Sequence, residues 1–246
     1  MNDRVLVVMP AYNEETTIAG VLEGLRRAAP GFDRVVVNDG SSDGTGAVLE
    51  RLGERQLRLP CNLGYGKALQ TGLCYGLDQG YDIIVSLDAD GQHDPADVVQ
   101  VVEALRTSGA DVVIGSRFDS DRPYTGPVNR RIGQLLFSHL TGWLLGKRIF
   151  DTTSGLKALR SPACAALVGG SFVDFHTEAL VRLRLLRFEI LEFPIEVKER
   201  QAGVSMYSLL SSVTYPLKTL VLTAVAVVDA WLERRRRDDP ARHDRN

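Results

Sequence analysis

Four short runs of aliphatic and β-branched residues, Val5–Met9, Arg34–Asn38, Ile83–Leu87 and Asp111–Gly115, each break into a polar loop, and the first three lead into stretches with helical periodicity. No other feature constrains the fold as much. A buried strand must satisfy its backbone groups on neighbouring strands, and parallel neighbours need long crossovers, usually helices. Strand and helix in alternation therefore predict an α/β fold, with a largely parallel sheet covered on both faces. The helical stretches are Glu15–Ala29, with Ile18, Val21, Leu22 and Leu25 on one stripe; a stretch ending near Leu52; Gly64–Leu77; and Pro95–Arg106. Gln56–Leu59 reads as a short additional strand, Leu156–Arg160 as another, and Ile190–Val197 as the last. Between them, Asp119–Pro127 reads as a loop, Asn129–Leu145 as an amphipathic helix, and Phe175–Glu178 as the opening of a helix reaching about Arg187.

In open parallel sheets, ligands sit beyond the carboxyl ends of the strands. Four loops leave that edge here: Pro10–Glu14, Asp39–Asp43, Asp88–Gln92 and Ser116–Arg117. The third carries the most chemistry. Two carboxylates one residue apart, Asp88 and Asp90, follow a buried strand, with a side-chain amide close by in Gln92. Hard oxygen ligands without a cysteine pair suit magnesium or manganese, ions that keep open positions for substrate phosphates. Asp94, Pro95 and Asp97 just downstream have a simpler reading as a helix start: N-cap, first-turn proline and first-turn acid. That reading leaves Asp88, Asp90 and Gln92 for a metal-bound diphosphate. No G-x-G-x-x-G follows the first strand and no G-x-x-x-x-G-K-[ST] occurs, which argues against dinucleotide oxidoreductases and P-loop NTPases.

Charge excludes another class. Lys plus Arg number 29 against 31 Asp plus Glu, a net charge of −2, which does not indicate a nucleic-acid binder. Three widely spaced cysteines, Cys61, Cys74 and Cys164, fit a reducing compartment, so the expected location is cytoplasmic. The apolar run Val5–Val8 is too short for a signal peptide. From Pro216 to Leu232 only Lys218, Thr219, Thr223 and Asp229 interrupt an apolar segment, which runs into Glu233 and Arg234–Arg237. A bilayer span takes roughly 20 apolar residues, so this segment is marginal for crossing. It reads as a helix lying in a membrane interface with its arginines on anionic lipid, or as a core or homodimer helix with a solvated basic end.

Taken together, Pro10-Ala-Tyr-Asn-Glu14, Val37-Asn-Asp-Gly-Ser-Ser-Asp-Gly44, Asn62-Leu-Gly-Tyr-Gly-Lys67, Asp88-Ala-Asp-Gly-Gln-His-Asp-Pro95, Gly115-Ser-Arg117, Asp151-Thr-Thr-Ser-Gly155 and Arg200-x-x-Gly203 carry a resemblance. The chain resembles family 2 inverting glycosyltransferases of the GT-A fold, in the branch of dolichyl-phosphate mannose synthase and polyprenyl-phosphate glycosyltransferases. The resemblance covers roughly residues 4–205 and implies a Rossmann-like, mostly parallel sheet followed by a C-terminal apolar helical segment. It implies that Pro10, Ala11, Tyr12, Glu14, Val37, Asp39, Lys67, Asp88, Ala89 and Arg200 bind a nucleotide-sugar donor. By the same resemblance Asp88, Asp90 and Gln92 hold Mg²⁺ or Mn²⁺, and Arg117 and Arg131 face an acceptor phosphate. Gln134 lies beside them where many relatives carry Ser, and Met206 replaces a Lys found in some.

These assignments agree with the chemistry of the side chains. Guanidinium suits phosphate, and a metal neutralises charge developing on a leaving nucleoside diphosphate. A phosphate nucleophile is ionised at neutral pH and needs no strong base, whereas a hydroxyl acceptor needs one, for which Asp151 and Glu178 are the candidates. The expected reaction is sugar transfer to polyprenyl phosphate by a peripheral protein on the cytoplasmic face of the membrane. A soluble transferase acting on a hydroxyl is the nearest alternative, and a non-catalytic sugar-nucleotide-binding module is a third. The expected organisation is a catalytic domain over 1–205, a helical segment over 206–237 and a disordered tail over 238–246.

Overall fold

The computed structural model describes residues 3–118, 139, 142, 146, 148–169, 175–196 and 211–237. Strands β1 (Val5–Ala11), β2 (Asp33–Asn38), β3 (Gln56–Arg58), β4 (Ile83–Ser86), β5 (Val112–Ser116), β6 (Lys157–Arg160) and β7 (Ile190–Pro194) form one sheet in the order β3-β2-β1-β4-β6-β5-β7. The described helices are α1 (Ile18–Ala28), α2 (Thr45–Arg51), α3 (Tyr65–Asp78), α4 (Pro95–Ser108), α5 (Ser161–Val168), α6 (Thr177–Leu185) and α7 (Ser211–Arg237).

Each central strand is apolar on both sides because helices cover both sides. Val5, Val7 and Met9 pack with Leu22, Leu25, Val98, Val101 and Leu105 of α1 and α4. Leu6 and Val8 face the other way, onto Leu69 and Leu73 of α3 and the buried residues of α5 and α6. The period-two alternation of a strand thus feeds two separate cores. The start of α4 follows the sequence reading: the Asp94 carboxylate accepts the Ala96 N–H at 3.0 Å and Pro95 occupies the first turn.

Two elements differ from expectation. β6 runs antiparallel between β4 and β5, interrupting an otherwise parallel sheet. The four residues Lys-Ala-Leu-Arg do not encode a direction, which is set by the chain before and after them. Helix α5 was not anticipated either, since Ser-Pro-Ala-Cys-Ala-Ala-Leu-Val has no polar stripe to mark a helical period. Its Ala163, Cys164, Ala166 and Leu167 are buried.

The reversed strand has a consequence for the site. β1, β2, β4 and β5 all end at one edge, and β6 begins there, so the turn from Asp151 to Leu156 and the first residue of β6, Lys157, join the same edge. Strand order also reverses between β1 and β4, which opens a crevice at that point.

Helix α7 extends beyond both ends of the apolar segment seen in the sequence. Thr219, Thr223, Ala226 and Ala230 are buried on the side that packs against α6. Among the described residues, no helix is long and apolar enough to cross a membrane. The expected loop at 119–127, the expected helix at 129–145 apart from residues 139 and 142, which are helical, Arg131, Gln134, Arg200, Met206 and the tail at 238–246 lie outside the described residues.

Candidate active site

The ends of β1 and β2 are stitched together by short polar side chains. The Asp39 N–H donates to the Ala11 carbonyl at 2.9 Å, while the buried Asp39 carboxylate accepts the Leu63 and Gly64 N–H groups at 2.8 and 2.9 Å. Asp39 therefore shapes the loop that enters α3. Gly40 sits at φ +66°, and a Cβ there would strike the backbone of Cys61, so only glycine lets the two loops meet. Asn13, at φ +57°, accepts the Ser42 N–H at 2.9 Å and donates its own N–H to Ser41 Oγ at 3.1 Å. The Glu14 carboxylate accepts the Thr17 hydroxyl at 2.7 Å. Between these anchors the Tyr12 ring remains 44% exposed. Val37 is fully buried in the core and Ala89 is buried on the opposite face, while Lys67 is exposed on α3 with Nζ 3.0 Å from Gln70 Oε1.

The loop after β4 brings Asp88 and Asp90 to the crevice. Asp90 is buried, and its Oδ1 accepts the Gln92 N–H at 3.1 Å. Gly155 packs directly under the Asp88 carboxylate, and a Cβ at that position would overlap it. The Gly155 carbonyl in turn accepts the Ser86 hydroxyl at 2.9 Å, which fixes the turn against β4. The Tyr65 hydroxyl faces Asp88, and burial together with the Asp88 and Asp90 carboxylates raises the phenol well above its usual range. Among the described residues no group of three or more His, Cys, Asp or Glu side chains surrounds one point. Two carboxylates and an amide are a hard, incomplete donor set, suited to an ion that also binds a diphosphate and water.

Beside these carboxylates, on the turn that carries Gly155, stands a buried ion pair. Asp151 accepts Arg117 Nε and Nη2 at 2.7 and 2.8 Å and the Arg117 N–H at 3.0 Å. Thr153 Oγ1 accepts Arg117 Nη2 at 2.8 Å. Burial alone would raise the Asp151 carboxyl, but the Arg117 charge and hydrogen bonds outweigh it and hold the pKa below the ordinary range. Behind the pair, Glu192 of β7 accepts the Phe150 and Asp151 N–H groups at 2.9 and 2.8 Å and the Ser116 hydroxyl at 2.9 Å. One carboxylate thereby ties β5, β7 and the Asp151 turn into a single unit.

Lys157 is buried where β6 begins, with Nζ on the Ser154 carbonyl. Burial pushes its pKa down to about 8, against the pull of Asp88 and Asp151. Glu178 is buried in the first turn of α6. His176, just before that helix, stacks on Tyr65 with ring centroids 5.5 Å apart. Burial, then the Lys157 and Arg117 charges, lower His176 to about 3. His93 is lowered to about 4, chiefly by burial and then by Arg117.

The structure thus brings Asp39, Tyr12, Glu14, Asp88, Asp90, Arg117 and Asp151 to one edge of the sheet. Tyr65, Lys157, His176 and Glu192 belong to the same site and were not singled out in the sequence. Glu192 had a signal, as the lone charge in an otherwise apolar strand, whereas Lys157 shares its short strand with Arg160 and had none. Tyr65 and His176 had none, because their pairing joins positions 111 residues apart, which only the fold brings together.

A doubly covered sheet with carboxylates and guanidinium gathered at its carboxyl edge is the scaffold of an enzyme handling a phosphorylated substrate. The family follows from similarity: the chain belongs to glycosyl transferase family 2, whose family profile matches residues 6–167, and it is a glycosyltransferase. It is 34% identical over 215 residues to an undecaprenyl-phosphate mannosyltransferase of Micrococcus luteus, covering 83% of this chain and 88% of that one. It is 31% identical over 216 residues to a polyprenol monophosphomannose synthase of Mycolicibacterium smegmatis, covering 83% and 81%. Among solved structures, glucosyl-3-phosphoglycerate synthase of Mycobacterium tuberculosis with Mn²⁺, UDP-glucose and phosphoglyceric acid superposes with a TM-score of 0.70 at 22% identity, covering 92% of this chain and 80% of that one. That superposition establishes the shared GT-A fold.

Proposed function

We propose that the protein transfers a hexose from a UDP- or GDP-sugar to a polyprenyl phosphate, with inversion at the anomeric carbon and with Mg²⁺ or Mn²⁺ bound. What supports this reading is that Asp88 and Asp90, packed on Gly155 of the Asp151 turn, and Arg117, braced by Asp151 of the same turn, meet at one edge of the sheet. Asp39, Tyr12 and Glu14 hold the nucleoside, and Asp88, Asp90 and Gln92 hold the metal. When bound, that ion neutralises charge developing on the departing diphosphate. Arg117, its plane fixed by the bidentate contact to Asp151, orients the acceptor phosphate for in-line attack. Asp151 acts through Arg117 as a positioning residue. Its low pKa and three Arg117 contacts suit it poorly to take a proton, which favours a nucleophile already ionised. An acceptor anchored by its lipid chain and a donor dissolved in water suit a reaction at a membrane surface, on this reading the cytoplasmic one.

The test is a panel of UDP- and GDP-sugars screened by thermal shift with manganese, followed by transfer assays with the stabilising donor. A preferred donor raises the melting temperature by mass action. Mass spectrometry then shows a glycosyl phosphate ester with a short-chain polyprenyl phosphate as acceptor. Efficient transfer to a water-soluble hydroxyl, with polyprenyl phosphate ignored, overturns the acceptor assignment.

A further inference from the structure

Helix α7 has two faces of opposite character. Thr219, Thr223, Ala226 and Ala230 are its buried residues, at spacings of four, three and four. Val221, Val225, Val228 and Leu232 repeat the same spacing two positions later, which at 100° per residue places them on the far side. Those four, with Leu220 and Trp231, are 40–57% exposed. The helix contains only two acids, Asp229 and Glu233, and both are drawn toward Arg182 of α6, Asp229 at 3.7 Å. Among its described side chains, those facing outward are apolar and basic: Lys218 at one end, and at the other Arg235, whose guanidinium lies 3.9 Å over the Trp231 ring.

We infer that this outward face docks on an anionic lipid bilayer, with the helix lying in the interface. Valine and leucine enter the acyl boundary, tryptophan sits at headgroup depth, and the arginines meet lipid phosphates. A second copy of the chain fits less well. Six half-exposed side chains fall short of the ~800 Å² per partner that a stable dimer buries, and the helix's two acids face Arg182 rather than a basic face on a second copy. The inference deepens the reading above, because it supplies the surface on which a lipid-borne acceptor is met.

The full chain is mixed with vesicles of phosphatidylcholine alone or with added phosphatidylglycerol and sedimented. The expected result is binding to the anionic vesicles only, weakening as salt rises. Val225→Glu with Val228→Glu lowers binding at least about tenfold, and Arg235→Gln lowers it about fivefold. All three positions are exposed on the helix, so circular dichroism remains that of the wild type. Equal vesicle binding by the wild type and the Val225→Glu/Val228→Glu variant overturns the proposal, as does a dimer that this variant dissociates. Transfer to a water-dispersed short-chain polyprenyl phosphate is measured in parallel. Transfer without vesicle binding rejects the docking face and leaves the reaction standing, whereas vesicle binding without transfer rejects the reaction and leaves the docking face.

Discussion

The two walls of the crevice are built differently. On the β1–β2 wall, loops are held by Asn13 and by the Asp39, Asp43 and Glu15 carboxylates accepting backbone N–H groups, with Tyr12 left open to solvent. On the β5–β6 wall, buried charges hold one another: Arg117 on Asp151, Glu192 beneath them and Lys157 alongside. A nucleoside is recognised by shape and hydrogen bonds, and a wall of backbone-anchored loops provides them at low electrostatic cost. A phosphate is recognised by charge, and a guanidinium aimed at it must be braced by an acid that is itself braced. The second wall is therefore the more sensitive to loss of one partner and to pH.

Three substitutions probe that contrast, in order of expected effect. Asp151→Asn leaves Arg117 against a neutral amide in a buried setting, and removing one member of a buried pair costs about 3–5 kcal/mol. Denaturant titration should place the loss near the lower figure, since Arg117 is 14% exposed. A loss below about 1 kcal/mol contradicts the account of this wall. Asp39→Ala removes two part-buried hydrogen bonds to a carboxylate, each at the low end of about 1.5–3 kcal/mol, and calorimetry should show nucleotide affinity reduced at least tenfold. Wild-type affinity in that variant removes Asp39 from donor binding.

The third effect is graded by pH. His176 is kept neutral in the fold, with its pKa pushed down to about 3, while the unfolded chain takes up the proton near 6.5. Its contribution is therefore full above about pH 6.5 and is lost as pH falls toward 3, at up to 1.4 kcal/mol per pH unit. His176→Phe keeps a ring against Tyr65 and should flatten that acid limb. An unchanged slope between pH 6 and 4 places the histidine in water instead.

Much of the first wall was legible in the sequence because its information is local. Strand ends, Asx-type turns and the Asp94–Pro95 helix start all follow from residues within a few positions of one another. The second wall depends on β6 running backwards between β4 and β5, and nothing in Lys157–Arg160 states its direction. Once it reverses, Lys157, Gly155 and Asp151 arrive at the edge together, and Glu192 from β7 can brace them. Asp151 illustrates the limit: an acid in a polar turn suggests a base in sequence, whereas three contacts from Arg117 favour a positioning role.

The most direct test is calorimetric titration of UDP and GDP into the protein, with manganese or with chelator, for the wild type and for Asp90→Asn. The account predicts that one nucleotide binds at least tenfold more tightly with manganese, and that Asp90→Asn abolishes this increment while its thermal unfolding stays close to that of the wild type. Equal affinity in chelator, or a manganese increment that survives in Asp90→Asn, contradicts the assignment of Asp88, Asp90 and Gln92 to a metal-bound donor diphosphate.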